Sequence, residues 1–411
     1  MLDRLTIERM MAWTGDKPVL VALSGGGDSV ALLHLLTAEL GAARLRAVVV
    51  DHALRDGSQD DAERAAGFAA ALGVRAGILT LSWEEGANRA QQAAREARYK
   101  VICEHARAES LNTIVAAHTA DDQAETVLMR AANGSTWRGL AGMAPFAFAP
   151  VWPEGRGIAL ARPLLGARRD ELRAYLRDHR AEWIEDPANT NPKFERVRVR
   201  ARLAELEAGG LDPLRLVQVA ARLRRRSEAL DAAAHDLISR AVVVEFAPTI
   251  FRSAWDAPRD VRLRALSAMI AAAAGASREP SWTDMPRLEA KIMSWPHAGA
   301  TDSGVAFIST LKKVTLLRDL GSAIGRADGV PPQPPLPLTE GVAVIWDGRV
   351  VVTASEPGWQ MVPARNGHRI AFEKGQVRRN YSQMEGVFRL RSLAAERIAH
   401  AFAPDINRAK P

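Results

Sequence analysis

One cysteine, Cys103, stands in a chain of 411 residues. A lone thiol excludes an internal disulfide framework and any zinc or sulfur-transfer site built on paired cysteines, and it fits a reducing compartment. Long apolar runs are also missing. No segment approaches the roughly 20 uninterrupted apolar residues of a membrane span. The opening MLDRLTIERMMAWTGDKP scatters charges where a signal peptide is continuously apolar. A cytoplasmic protein without a membrane partner is therefore expected. Lysine is scarce, supplying eight of the 55 basic residues. No internal repeat is visible, and no segment implies an obligate protein partner.

What is abundant is arginine. The net charge of +7 and pI near 9.9 point toward a polyanionic partner. A coding sequence rich in G and C produces the same excess of arginine and alanine, so the position of the arginines carries more information than their number.

The first part of the chain alternates short β-branched runs with longer helical patterns. Residues 19–23, 45–50, 78–81 and 113–117 read as buried strands, and 158–162 as a fifth. Residues 30–40, 58–72 and 87–109 carry apolar side chains at helical spacing. This alternation predicts an α/β fold with a parallel sheet covered on both faces. From about residue 167 the pattern turns helical, over 172–180, 196–207, 214–234, 255–274 and 282–295. PPQPPLPL at 331–338 reads as a stiff linker, and 342–352 as a hairpin turning at Asp347 and Gly348.

Between the first strand and the first of these helices lies Ser24-Gly25-Gly26-Gly27-Asp28-Ser29. Backbone N–H groups and a helix N-terminus meet there, an arrangement that holds anions. Three glycines alone equally suit a tight turn capped by Ser29. The loop is neither a Walker A motif nor a dinucleotide fingerprint, because it lacks Gly-Lys-[Ser/Thr] and its glycines are consecutive. The second strand ends in DHALR, residues 51–55, which sets Asp51 and His52 at the edge where α/β sheets bind ligands. The fourth ends at Ala117 and is followed by HTADDQAET, residues 118–126. Helical spacing puts His118, Asp122 and Glu125 on one face, suited to Mg²⁺ or an ammonium group. A solvated acidic first turn is the plainer reading of the same residues.

SGGGDS resembles the SGGxDS loop of the PP-loop ATP pyrophosphatases, and four further stretches resemble one branch of them, the tRNA(Ile)-lysidine synthetases. These are DHALR, HTADDQAET, AREARY at 94–99 and RPLL at 162–165, with NGSTWRGL at 133–140 and WIEDPAN at 183–189 as looser matches. Thr119 stands where many members have a second histidine, and Ala188 where serine is usual. The resemblance is close over the first half of the chain and loose beyond it.

It implies a PP-loop catalytic domain over 1–215, a helical tRNA-binding region over 216–330 and a small mixed α/β domain over 331–411 that also touches tRNA. It implies ATP and Mg²⁺ as cofactors, and as substrates free L-lysine and an isoleucine tRNA with a CAU anticodon. The nucleotide falls to Ser24, Gly25, Gly26, Gly27, Asp28, Ser29, Asp51, His52 and His118. Mg²⁺ falls to Asp28 and Asp122, catalysis to Asp28, Asp122, Glu125 and Arg95, and tRNA to Arg162, Arg196 and Arg200. A thiolase of the same fold would need cysteine pairs, and a glutamine-dependent amidating relative would need a nucleophilic cysteine in an added domain. A non-catalytic RNA binder on a degenerate fold would have lost Asp28, Asp122 and Glu125, all of which are present.

Overall fold

The computed structural model describes residues 1–53, 57–83, 91–185, 195–293, 300–325, 332–363, 370–375, 377–380, 384 and 386–404. The chain divides into two units, Met1–Glu228 with the segment from Ala403 on, and Ala229–Phe402.

The first unit opens with α1 (Arg4–Thr14), whose N-cap Asp3 accepts from the Thr6 N–H at 3.0 Å. There follow β1 (Val19–Ala22), α2 (Gly27–Leu40), β2 (Leu45–Asp51), α3 (Ser58–Ala71), β3 (Arg75–Thr80), α4 (Gln91–Ala108), β4 (Thr113–Val115) and α5 (Ala120–Ala132). A short helix α6 (Trp137–Leu140) precedes β5 (Phe146–Phe148) and β6 (Ala159–Ala161). Helices α7 (Arg169–Asp178) and α8 (Glu195–Ala208) come next, and the division between the units falls inside α9 (Pro213–Ala241). Of the expected helices, positions 87–90 and 294–295 lie outside the described residues. The sheet runs β3-β2-β1-β4-β6-β5. Its first five strands are parallel, as the strand–helix alternation predicts, and β5 adds an antiparallel edge.

Alternation along the strands divides the core into two layers. Val19 and Val21 face α2 and α3 in one cluster with Leu33, Ala65 and Leu172. Leu20, Val48 and Ile114 face Tyr99, Ile102 and the buried thiol of Cys103 on α4 in the other. The strands are apolar on both sides because both sides are covered, which is why they read as continuous runs. Strand order reverses between β1 and β4. Chain leaving β1 goes to one side and chain leaving β4 to the other, which opens a crevice at their carboxyl ends.

Residues 216–330, expected to be helical, hold α9, α10 (Arg259–Ala274) and α11 (Met285–Met293) and also a five-stranded antiparallel sheet. It comprises β7 (Val242–Val244), β8 (Pro248–Phe251), β9 (Ala300–Asp302), β10 (Val305–Ser309) and β11 (Lys313–Arg318) in the order β7-β8-β11-β10-β9. Strands this short show no clear period in the sequence. One face packs Ile250, Phe307, Val314 and Leu316 beneath α10. Of the proline run, 331 lies outside the described residues. Leu336–Pro337 is β12, an edge strand where proline's missing N–H costs little. Further on, β13 (Ala343–Trp346) and β14 (Val350–Ala354) form the expected hairpin. Asp347 and Gly348 turn it with φ of 53° and 61°. Two successive positive angles are the mark of a type I′ turn.

The step from β1 to α2 requires a left-handed residue. Gly25 has φ of +79°, its carbonyl accepts from Ile184 N at 2.9 Å, and a Cβ there would lie 2.7 Å from Ile184 Cδ1 and 3.0 Å from Ala65 Cβ. Gly25→Ala is expected to cost about 1–3 kcal/mol in urea unfolding, from left-handed strain and displacement of Ile184. A loss under about 0.3 kcal/mol, within the scatter of neutral surface changes, would show that the loop relaxes freely.

Candidate active site

Loop 24–29 holds itself open through its two serines. Ser29 Oγ donates to the Gly26 carbonyl at 2.9 Å, accepts from Ser24 N at 3.2 Å and lies 3.1 Å from Ser24 Oγ. Gly26 is the N-cap of α2 and offers no side chain, so the first N–H groups of the helix receive no side-chain cap and remain available at the crevice. Added Cβ atoms at Gly26 and Gly27 would find nothing nearer than 3.6 Å within the protein. The folded chain alone does not demand glycine at those two positions. A phosphate against the backbone would.

Across the crevice, α5 begins with a capping box. Asp122 Oδ2 accepts from Thr119 N at 2.8 Å and from Thr119 Oγ1 at 2.9 Å. Thr119 Oγ1 in turn accepts from Asp122 N at 3.3 Å. Thr119 is thus occupied as a cap. The helix starts after His118, so His118 sits on the approach to α5, and Asp122 and Glu125 alone share its face at i, i+3. The neighbouring acid Asp121 turns elsewhere. It accepts from Arg169 N at 2.8 Å and Arg168 Nε at 3.1 Å, fastening the start of α7.

One guanidinium joins the two sides. Arg169 donates through Nε to Asp28 Oδ2 at 3.1 Å, through Nη2 to Asp122 Oδ1 at 2.7 Å and through Nη1 to Glu125 Oε1 at 3.2 Å. Arg200 Nε also reaches Glu125 Oε1, at 2.9 Å, and Arg196 Nε lies 4.0 Å from Oε2. The Glu125 side chain is fully buried, and among the described residues its Oε2 accepts no hydrogen bond. The 4.0 Å ion pair with Arg196 compensates its desolvation only in part, and a donor from a ligand would complete it.

The electrostatics diverge within this cluster. Burial pushes the Asp28 carboxyl above its ordinary range, with Asp122 adding to it and Arg169 opposing. Burial works the same way on Asp122, but Arg169, His118 and the Thr119 N–H together outweigh it and hold that carboxyl low. His118 is held well below the usual imidazole range by burial and by the Arg162 guanidinium, and its Nδ1 makes no hydrogen bond. It is neutral at pH 7.

A second, positive bay adjoins the acids. The Arg95 and Arg98 guanidiniums lie 5.2 and 5.6 Å from the Tyr99 ring centroid. Burial lowers the pKa of both Arg98 and Arg162, with Tyr99 opposing and neighbouring arginines adding to it. Burial raises the pKa of the Tyr99 phenol, but Arg162, Arg95 and Arg98 outweigh it and draw the group below its ordinary range. Arginines gathered in this way without matching acids leave a place for an anion.

Most of the expected residues therefore converge. Asp28, His118, Asp122, Glu125, Arg95, Arg162, Arg196 and Arg200 meet at the reversal of strand order, beside loop 24–29. Arg162 is buried, with Nη1 donating to the Ala144 carbonyl at 2.6 Å. Asp51 and His52 stand one strand over. Asp51 is buried, its Oδ1 accepts from Ala53 N at 2.9 Å, and the His52 carbonyl accepts from Trp83 Nε1 at 2.8 Å. Leu54 and Arg55 of DHALR, and 186–189 of WIEDPAN, lie outside the described residues. The glycine-broken stretch 133–140 is pinned. Arg130 donates to the Gly139 and Gly142 carbonyls at 2.7 and 3.0 Å, and Arg226 covers the Trp137 ring at 4.7 Å. Arg168 and Arg169 were missed by motif spacing. The available signal was two arginines at the start of a helix, where the dipole disfavours cations unless acids wait nearby.

The donors suit Mg²⁺, a hard cation usually held by one or two carboxylates together with substrate phosphates. Among the described residues no three acidic, histidine or cysteine side chains form a ready-made metal cage, since Arg169 stands between the carboxylates.

The PP-loop domain family matches residues 3–207. The tRNA(Ile)-lysidine synthase of Hyphomonas neptunium is 40% identical over 311 residues, 74% of this chain and 83% of that one. That of Mesorhizobium japonicum is 36% identical over 377 residues, 87% and 78%. Among solved structures, the U34-tRNA thiolase NcsA from Methanococcus maripaludis is 18% identical, with a TM-score of 0.41 over 54% of this chain and 77% of that one. No described helix is long and apolar enough to cross a membrane. The chain belongs to the tRNA(Ile)-lysidine synthase family, ATP-using enzymes built on a PP-loop domain.

Proposed function

We propose that this enzyme joins free L-lysine to carbon 2 of the wobble cytidine in the CAU anticodon of isoleucine tRNA. The observation that carries this reading is the pairing of an uncapped N–H loop with a carboxylate cluster across one crevice, in a chain of this family. In the first step the C2 carbonyl oxygen of the cytidine attacks the α-phosphorus of ATP. An O–P bond forms, the α–β bridge breaks, and pyrophosphate leaves. The base is then an activated electrophile. The ε-amine of lysine attacks C2, AMP leaves and the nitrogen loses a proton, giving lysidine.

This chain's residues divide the work. The N–H groups of loop 24–29 and the start of α2 hold the departing pyrophosphate, with Ser24 and Ser29 adding hydroxyls. Asp51, His52 and the neutral His118 line the nucleotide. Arg95 stabilises charge on the α-phosphate. Asp28 and Asp122 would hold Mg²⁺, which would supply charge neutralisation at the phosphates when bound. The buried Oε2 of Glu125, which lacks a hydrogen bond, is suited to orient an ammonium group. An adjoining cleft of about 300 Å³ is bordered by the acids Asp121, Glu125, Asp170 and Glu207 and by Arg169, Arg173 and Arg200. Those two signs of charge match the ammonium groups and the carboxylate of a lysine molecule. Arg162, Arg196 and Arg200 serve the RNA, with residues 216–330 and 331–411 adding further tRNA contacts.

Incubation with ATP, labelled lysine and unmodified isoleucine tRNA is expected to place label in the RNA with release of AMP and pyrophosphate. Release of ADP and orthophosphate would reject the reading. Asp28→Ala is expected to lower tRNA-stimulated ATP–pyrophosphate exchange by roughly 100-fold or more, and unchanged exchange would remove the loop from the chemistry. Replacing Arg196 and Arg200 together by alanine is expected to weaken tRNA binding and make its log–log salt dependence shallower by about 1 to 2. Equal affinity at every salt concentration would reject their contact with phosphate.

A further inference from the structure

Arg169 belongs to none of the recognisable motifs, yet it touches every carboxylate of the cluster. Within ion-pair distance Asp28, Asp122 and Glu125 meet three guanidiniums, Arg169, Arg196 and Arg200. Among the described residues three carboxylates thus face three guanidiniums, and their formal charges balance. Among the described residues Arg169 is the one guanidinium within hydrogen-bond distance of all three carboxylates, so a cation held by Asp28 and Asp122 would compete with it. Its backbone is fixed by Asp121, while its side chain is 17% exposed. One of its partners, Asp28 at 3.1 Å, belongs to loop 24–29 itself. Phosphates entering that loop offer the guanidinium a second anion at the same place.

We propose that Arg169 is an internal counter-cation that decides which cations the cluster accepts, keeping it closed to free divalent ions and opening it when nucleotide phosphates draw the guanidinium away. The inference rests on the reading of these carboxylates as a Mg²⁺ site. Its physical content is competition. One delocalised charge with three fixed hydrogen bonds holds a position that a small hard ion would otherwise take, so a free ion must break a buried ion-pair network to enter. Nucleotide and metal then bind with positive coupling, because the first removes the obstacle to the second.

The test is Mn²⁺ binding to the nucleotide-free full chain, read from the loss of the free-ion electron paramagnetic resonance signal. Arg169→Gln is expected to bind one Mn²⁺ at least tenfold more tightly than the wild type, with Arg169→Lys between them. Adding Asp122→Asn to Arg169→Gln is expected to abolish the gain, which locates the ion in the cluster. Equal or weaker Mn²⁺ binding by a folded Arg169→Gln protein overturns the proposal, as does a gain that survives Asp122→Asn. Should Arg169→Gln fail to fold by circular dichroism, Arg169→Lys decides alone, and wild-type affinity there overturns the idea. Lysine incorporation by the wild type is scored separately. Its failure would remove the proposed reaction, whereas the Mn²⁺ titration speaks to Arg169 whichever reaction the site performs.

Discussion

The reversal of strand order between β1 and β4 is the constraint from which the site follows. In a parallel sheet every crossover must return over a face, so the chain leaves each strand at the same edge. Where two neighbouring strands send their crossovers to opposite faces, no backbone fills the gap between them. The loop after β1 and the start of α5 after β4 flank that gap, and each contributes what a strand end can offer. The first gives uncapped N–H groups, the second gives carboxylates on the first turn of a helix. Neither needs a long insertion. The separation of donors from acids is fixed by the spacing of two adjacent strands.

Opposite charges in so small a volume would collapse onto each other if nothing held them apart. Here the rigid partners are backbone. Asp122 is locked by the capping box with Thr119, and loop 24–29 by the two serine hydroxyls. Arg162 is tied to the carbonyl of Ala144 and lies against Tyr99. Burial then makes each uncompensated charge expensive, which is why Asp28 rises, His118 falls and the arginines beside Tyr99 fall together. Such perturbations mark a place prepared for ligands bearing both signs of charge. A triphosphate beside an amino acid is a pair of that kind.

The sheet and the principal loop were legible because their signals are local. Strands buried on both faces read as apolar runs, and SGGGDS needs only the transition from strand to helix to acquire meaning. The edge strand β5 was not legible, since the short FAF segment beside proline and alanine carries no period. The antiparallel sheet of the second unit escaped for the same reason. Within the site, spacing puts Asp122 and Glu125 on one face but wrongly extends that helix to His118, because periodicity continues past the point where Thr119 caps the helix. Arg169 was invisible for a deeper reason. Its importance lies in three partners distant in sequence, and no local pattern encodes the convergence of α2, α5 and α7.

Arg196 and Arg200 show how the two halves of the proposed reaction are joined. The helical repeat that puts them on one face aims them at Glu125, and in the proposed reaction each would also meet a phosphate arriving from outside. A guanidinium has five donors and can bridge two such groups, where lysine would have to choose. As a nucleic-acid backbone approaches, its phosphates compete with Glu125 for the same N–H groups, and the carboxylate loses part of its compensation. An under-compensated buried carboxylate is the group with most to gain from an ammonium ion. In the proposed reaction, arrival of the polyanion would thus be coupled to capture of the amine through the Glu125 side chain.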